Sequence, residues 1–319
     1  MEIVYSGVAL CATPFLHDKI NRMRVFLTGA TGFIGKCTLE ELKKCGHRVL
    51  ALSRRTHRER GVDFIKGDLA NIVKWKGRLK KFKPQAAVHL AWEGIPDFSY
   101  ERSVKNLEEG IALFSALAGV GCKKIVAAGS GFECGNRTGK ISDAIPVAPY
   151  NSFTAAKHSL HLMGEALARE HEMDFIWLRP YNPYGNGQRP GSLIPYIMRT
   201  VEGEIPLRLK NPFAQGDFVY ISDVAKMFAD AIARGKGIAT YNLGSGYLTP
   251  VREIARIVCK EIGASEEYCK DFARTTKGKF QPAAYADISR VRKDLGWRPK
   301  VDMAEGIKKT VKEFLSSNY

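Results

Sequence analysis

From Met23 onward, short apolar runs alternate with segments of helical period. "RVFLTG" (24–29) reads as a strand ending in glycine, and "GFIGKCTLEELKKCG" (32–46) as a helix that stops at Gly46. "HRVLALS" (47–53), "VDFIKGDL" (62–69), "AAVHLAW" (86–92), "KKIVAAGS" (123–130) and "MDFIWLRP" (173–180) read as further strands. Helical segments fall between them, among them 103–119 and 152–171. The strands are near-continuous apolar runs, as expected where both faces of a sheet are covered. The alternation predicts an α/β fold, a doubly wound parallel sheet wrapped by helices.

After Pro180 the pattern changes. Residues 181–217 are rich in Gly, Pro, Asn and Arg. A helix follows at "SDVAKMFADAIARG" (222–235), then a strand-like "TYNLGSG" (240–246), and the last third is mostly helical and basic. This predicts a first domain over 23–180, to which 218–245 returns, and a smaller C-terminal substrate lobe from 181–217 and 246–319. Residues 1–22 precede a second methionine. Their apolar part is short and follows no basic region, so they read as a peripheral extension rather than a signal peptide. No run of 18 apolar residues occurs, so no membrane span is expected and the cytoplasm is the expected location.

Composition narrows the class. The 319 residues are 45% hydrophobic and 26% charged, ordinary for a soluble globular chain. The seven cysteines are odd in number and form no C-x-x-C pair, which argues against a metal cluster or disulfide framework and for a reducing compartment. The net charge of +16 attracts polyanions. RNA, an anionic cofactor and an anionic substrate all satisfy it, and bulk charge does not separate them.

"TGATGFIG" (28–35) supplies sharper chemistry. Gly29, Gly32 and Gly35 follow the first strand and open a helix, with Thr31, Phe33 and Ile34 between them. Without Cβ atoms the backbone turns sharply and approaches a pyrophosphate, while the helix N-terminus supplies N–H donors. This is a dinucleotide loop in a Rossmann-type fold. At the end of the second strand, NAD sites keep a carboxylate for the adenosine ribose. Here the strand ends Ser53-Arg54-Arg55, two guanidinium groups and a hydroxyl suited to a 2′-phosphate. NADP is therefore favoured, with NAD the alternative.

The chain resembles the extended short-chain dehydrogenase/reductases, of the NAD-dependent epimerase/dehydratase kind that modifies nucleotide sugars. The similarity runs from Met23 nearly to the end, through "GDL" with Asp68, "HLAW" (89–92), Asn106, "GS" (129–130), Lys157, "LRPYNPYGNGQRPGSLIP" (178–195), "DFVYISDVA" (217–225) and "ADISRVRKDLGWRPK" (286–300). The resemblance implies that Asp68 and Leu69 meet the adenine and that Leu90, Ala91 and Trp92 line the adenosine side. It implies that Ser130 hydrogen-bonds the reacting oxygen, that Lys157 binds the nicotinamide ribose, and that Asn106 supports Lys157 through water. Pro180 and Tyr181 fall to the cofactor; Asn182 and the Leu193 region fall to a nucleotide-linked sugar. Relatives dimerise through helices like 103–119 and 152–171, so a homodimer is an expected assembly.

Three departures bear on the reaction. Phe153 stands four residues before Lys157, where the family usually keeps its tyrosine acid. Tyr150, seven residues before the lysine, is a speculative replacement that would approach substrate from the helix start. Gly131 and Phe132 occupy the places of the Asp-Glu pair of 4,6-dehydratases, which disfavours that reaction. Glu133 and Cys134 follow, and strand alternation would turn one of them away from the site. Gly216 stands where an arginine often meets diphosphate, leaving Arg208, Lys210, Lys277 and Lys279 as candidate cations. Two readings follow: an epimerase or reductase with an altered proton donor, and a catalytically impaired NADP-binding regulatory or RNA-binding member of the same fold.

Overall fold

In a computed structural model of the chain, residues 22–203, 211, 213–265, 267 and 281–317 are described. The extension before Arg22 and the candidates Arg208, Lys210, Lys277 and Lys279 lie outside the described residues.

Seven parallel strands form the central sheet: β1 (Arg24–Thr28), β2 (Arg48–Ser53), β3 (Val62–Lys66), β4 (Ala86–His89), β5 (Lys124–Ala128), β7 (Asp174–Pro180) and β11 (Ile238–Leu243). Their spatial order is β3-β2-β1-β4-β5-β7-β11. The order reverses between β1 and β4, and the crevice beyond the carboxyl ends of strands at such a switch point is where this architecture places ligands. Two-residue side-chain alternation builds the two cores. Val25 and Leu27 face one side with Val49, Ala51 and Val88, against α1 (Phe33–Lys44) and α6 (Ile221–Arg234). Phe26, Leu50 and Ala87 face the other, against α2 (Ile72–Phe82), α3 (Tyr100–Gly119) and α4 (Ser152–Glu170).

One small pairing ties the C-terminal half to this frame, β6 (Gly139–Ile141) with β13 (Ala284–Ala286), and two more lie within that half: β8 (Pro183–Tyr184) with β10 (Val219–Tyr220), and β9 (Gln215–Gly216) with β12 (Thr249–Pro250). A separate apolar cluster joins α5 (Leu193–Glu202), α7 (Val251–Ile262) and α9 (Met303–Ser317) through Ile194, Ile197, Ile254, Val258 and Ile307. The segment after 246 is divided between the two bodies. Val291 and Leu295 of α8 (Ser289–Leu295), with Trp297, join the core beneath the sheet rather than the smaller cluster. Trp297 is anchored there by an Nε1 hydrogen bond to the Asp223 carbonyl (3.0 Å).

Candidate functional site

The glycine loop leaves β1 through Thr28, whose Oγ1 lies 2.8 Å from His89 Nδ1 on the neighbouring strand β4. Burial lowers the His89 pKa to about 3, so the contact joins two neutral groups. Gly29 adopts φ +74°, and a Cβ there would sit 2.7 Å from the Ala91 nitrogen. Gly35 is tighter still, since a Cβ would lie 1.9 Å from the Gly29 carbonyl oxygen. Only glycine lets loop, helix and the β4 exit come this close.

Beside the loop is a cavity of about 300 Å³. Gly29, Thr31 and Gly32 form one wall, Ser53 and Arg54 another, Asp68 and Leu69 a third, and Leu90, Ala91 and Trp92 the fourth. These are the residues that the sequence assigns to the adenosine half of a dinucleotide. Phe33 and Ile34 instead turn into the apolar cluster of α5, α7 and α9, and Arg55 is exposed outside the lining.

The cavity also holds a carboxylate that sequence reasoning missed. Glu93 Oε1 accepts from Arg54 Nη1 (2.7 Å), and its Oε2 accepts from Lys105 Nζ (2.9 Å) and pairs with Arg102 Nη1 (3.0 Å). The Lys105 hydrogen bond is the main reason its pKa lies below the usual carboxylate range. Three cations surround Glu93, but Arg102 also pairs with Asp97 (3.6 Å) and Lys105 with Glu109 (3.8 Å), which leaves Arg54 as the cation of the lining with no second carboxylate partner among the described residues. Asn106 holds this loop in place, accepting from Glu93 N (2.6 Å) and donating to Glu93 O (3.0 Å) and Arg102 O (2.8 Å).

Helix α4 brings the next group. Asn151 caps it, its Oδ1 accepting from Thr154 N at 2.9 Å. That cap sets Phe153 in the first turn, one turn ahead of Lys157. Both are buried, each 4% exposed. Lys157 Nζ donates to the Ala128 carbonyl (2.7 Å) and lies 3.9 Å from the centre of the Trp92 indole. Burial pulls its pKa down to about 7. Phe153 packs edge-on against Trp92 (5.6 Å, 88°) and beside Phe98 (4.7 Å).

A second cavity, of about 380 Å³, opens beside Ser130. Ser130, Tyr150, Asn182 and Gly216 line it, together with Pro180 and Tyr181, which face this cavity rather than the adenosine one. Asn182 has φ +31° and donates from Nδ2 to the Asp217 carbonyl (2.8 Å). Leu193 packs in the α5 cluster and is absent from this lining. Arg137 is the cation that the sequence reading overlooked. It lines the cavity, and its Nη1 donates to the Cys134 and Pro146 carbonyls (3.3 and 2.6 Å). Held by carbonyls rather than by a carboxylate, its charge is available to an anion. Arg137→Ala should weaken binding of a nucleoside diphosphate by roughly ten-fold, as measured by calorimetry, with NADPH affinity unchanged.

Residues 131–134 form a short 3-10 helix, so strand alternation does not govern Glu133 and Cys134. Cys134 faces the second cavity, where burial raises its thiol pKa. Glu133 turns inward and is fully buried. It accepts from Ser130 N (2.7 Å), Trp177 Nε1 (3.1 Å) and Arg179 Nε (3.0 Å). Ser130 Oγ accepts from Phe132 N (3.2 Å), completing the cap that fixes this serine at the second cavity. Ligand atoms of Glu133, His158 and His161 lie within 4.8 Å of one another. Arg179 already neutralises that carboxylate, which makes the trio a poor cradle for a further cation.

The comparisons with known proteins agree with this geometry. Residues 25–244 match the model of the NAD dependent epimerase/dehydratase family. The chain is 28% identical to a UDP-glucose 4-epimerase of Mycolicibacterium smegmatis, over 92% of this chain and 98% of the relative. It is 24% identical to a dTDP-4-dehydro-6-deoxyglucose reductase of Escherichia coli, over 90% and 96% respectively. The structure of Thermus thermophilus UDP-glucose 4-epimerase with NAD superimposes with a TM-score of 0.77 at 25% identity, covering 92% of this chain and 100% of that one. A UDP-glucose 4-epimerase of Thermotoga maritima with UDP-glucose shares the fold with a TM-score of 0.81 at 20% identity, over 93% and 100%. With about two thirds of its length matched by that family's model, the chain is a member of the NAD-dependent epimerase/dehydratase family.

Proposed function

We propose that the protein is an oxidoreductase of the epimerase or reductase type, favouring NADP, that acts on a nucleotide-linked sugar without an acid at residue 153. The observation behind this reading is a pair of cavities, with Ser130 in the lining of the second. One is lined by the glycine loop and the basic end of β2, the other by Tyr150, Asn182 and Arg137. The bound dinucleotide supplies hydride chemistry. The chain's own groups do the rest: Lys157 holds ribose hydroxyls, Ser130 Oγ orients the reacting oxygen, and Arg137 offers charge to the diphosphate. The proton falls to Ser130, Tyr150, water or the sugar itself. A 4,6-dehydration is disfavoured, because Gly131 and Phe132 bring no acid and Glu133 is committed to Arg179 beneath the site.

The NADP preference rests on the cations at the adenosine end. A 2′-phosphate draws Arg54 away from Glu93, while Lys105 and Arg102 keep that carboxylate neutralised. The double variant Arg54→Ala/Arg55→Ala should weaken NADPH binding by roughly ten-fold or more and leave NADH binding nearly unchanged. Equal or tighter binding of NADH than NADPH by the unmodified protein overturns the preference. The reaction itself is tested by NADPH oxidation against nucleotide-linked 4-keto sugars.

One observation favours a second reading, an NADP-binding protein without turnover. The side chain at 153 is part of an aromatic cluster over Lys157, and neither residue lines either cavity. Bound NADPH with no turnover across the panel supports it.

A further inference from the structure

The adenosine end of the cleft is open, whereas the lysine expected to meet the nicotinamide ribose is covered. Lys157 is 4% exposed, lines neither cavity and presents its ammonium to the face of Trp92 at 3.9 Å. The indole is held on its other contacts by the Phe153 edge, itself backed by Phe98. A ribose has to compete with the indole for the remaining N–H groups of Lys157. The Ala128 carbonyl already takes one of the three donors. Trp92 also borders the open cavity, so the indole stands where the adenosine site meets the covered lysine.

Resting on the cofactor reading above, we propose that Trp92 is a specificity-determining residue of this cleft: its indole covers Lys157 and must be displaced before the nicotinamide half of a dinucleotide engages. The adenosine half docks without that step. The cleft therefore discriminates weakly between a whole dinucleotide and its 2′-phosphorylated adenosine fragment. A buried cation over an indole is a contact strong enough to matter, so its loss on binding offsets much of what the nicotinamide half contributes. The hydroxyl absent from Phe153 belongs to the same arrangement, since an all-carbon ring packs against the indole without a polar atom to satisfy.

Calorimetric titration with NADP+ and with adenosine 2′,5′-bisphosphate tests this on the full chain. The native protein should bind the two within about three-fold of each other. Trp92→Ala should tighten NADP+ by about ten-fold and leave the bisphosphate unchanged, a factor in line with loss of one cation–π contact. A native protein that binds NADP+ far more tightly than the fragment, with Trp92→Ala weakening NADP+, overturns the inference while the cofactor reading stands. Binding of neither ligand by either form overturns both. Should Trp92→Ala fail to fold, 5-fluorotryptophan NMR of the native chain decides, with the Trp92 signal assigned from Trp92→Phe. Trp75, Trp177 and Trp297 are at most 4% exposed and serve as internal references. NADP+ should move the Trp92 signal well beyond the shift caused by the bisphosphate; equal shifts refute the displacement.

Discussion

Restoring a phenol by Phe153→Tyr should raise turnover of NADPH with a nucleotide-linked 4-keto sugar by roughly ten-fold or more, within the range that a positioned general acid contributes. The backbone position is set, and the added hydroxyl has to open the packing of this ring against Trp92 and Phe98 to reach substrate. The Asn151 cap fixes the first turn of α4, and Lys157 follows one turn later. A tyrosine there gains a neighbouring ammonium, which lowers a phenol's pKa, against burial, which raises it. The assay compares native protein, Phe153→Tyr, Ser130→Ala and Tyr150→Phe over the same panel. A ten-fold gain identifies a working site that lacks one proton donor. Activity that ignores the tyrosine but falls with Ser130→Ala or Tyr150→Phe assigns the proton to that group. Silence in both forms, with NADPH bound, supports the reading without turnover. Loss of NADPH binding in Phe153→Tyr alone would mean that this helix does not stand beside the nicotinamide.

The parts of this site that were legible from residues are those fixed by backbone geometry. Apolar runs such as Val25–Leu27 and Val49–Leu52 have to be buried on both faces, and the strands they predict are present. Gly29 and Gly35 have no freedom to be anything else, given the 2.7 and 1.9 Å approaches that a Cβ would face. What escaped notice depends on contacts across elements. Glu93 follows β4, while attention falls on the end of β2 when a ribose carboxylate is sought, yet only the folded sheet brings it to Arg54. The Trp92–Lys157 contact spans 65 positions and has no periodic signal. Two misses were nonetheless readable. Ser130-x-x-Glu133 is a capping-box spacing that marks a helical turn rather than a strand. Ile194, Ile197, Met198 and Val201 stand at i, i+3, i+4 and i+7, the signature of α5 within a stretch dominated by the Gly and Pro residues before it.

Removing the carboxylate under the serine should produce the largest loss of stability. Glu133 is fully buried and Arg179 is 6% exposed, with 3.0 Å between Oε2 and Nε. Glu133→Ala leaves a guanidinium in the interior with its main partner gone. It also strips acceptors from Trp177 Nε1 and Ser130 N. Among the described residues, the guanidinium's remaining side-chain hydrogen bond is to the Asp143 carbonyl, 3.5 Å from Arg179 Nη1. The Asp143 carboxyl is itself engaged by Asn242 N, at 2.5 Å, and burial raises its pKa to about 6. Breaking a buried pair on one side costs about 3–5 kcal/mol, because the desolvated charge that remains is uncompensated. Removing both charges together is far milder, so Glu133→Leu/Arg179→Met should recover most of the loss. Urea unfolding of the three proteins measures this directly. A loss under about 1 kcal/mol for Glu133→Ala would show that water reaches Arg179 and that the pair is not the anchor its burial indicates. The double variant also separates structure from chemistry. If it folds but stays inactive while NADPH still binds, the Glu133 hydrogen bond to Ser130 N is what sets the serine against the substrate, and stability alone does not explain the loss.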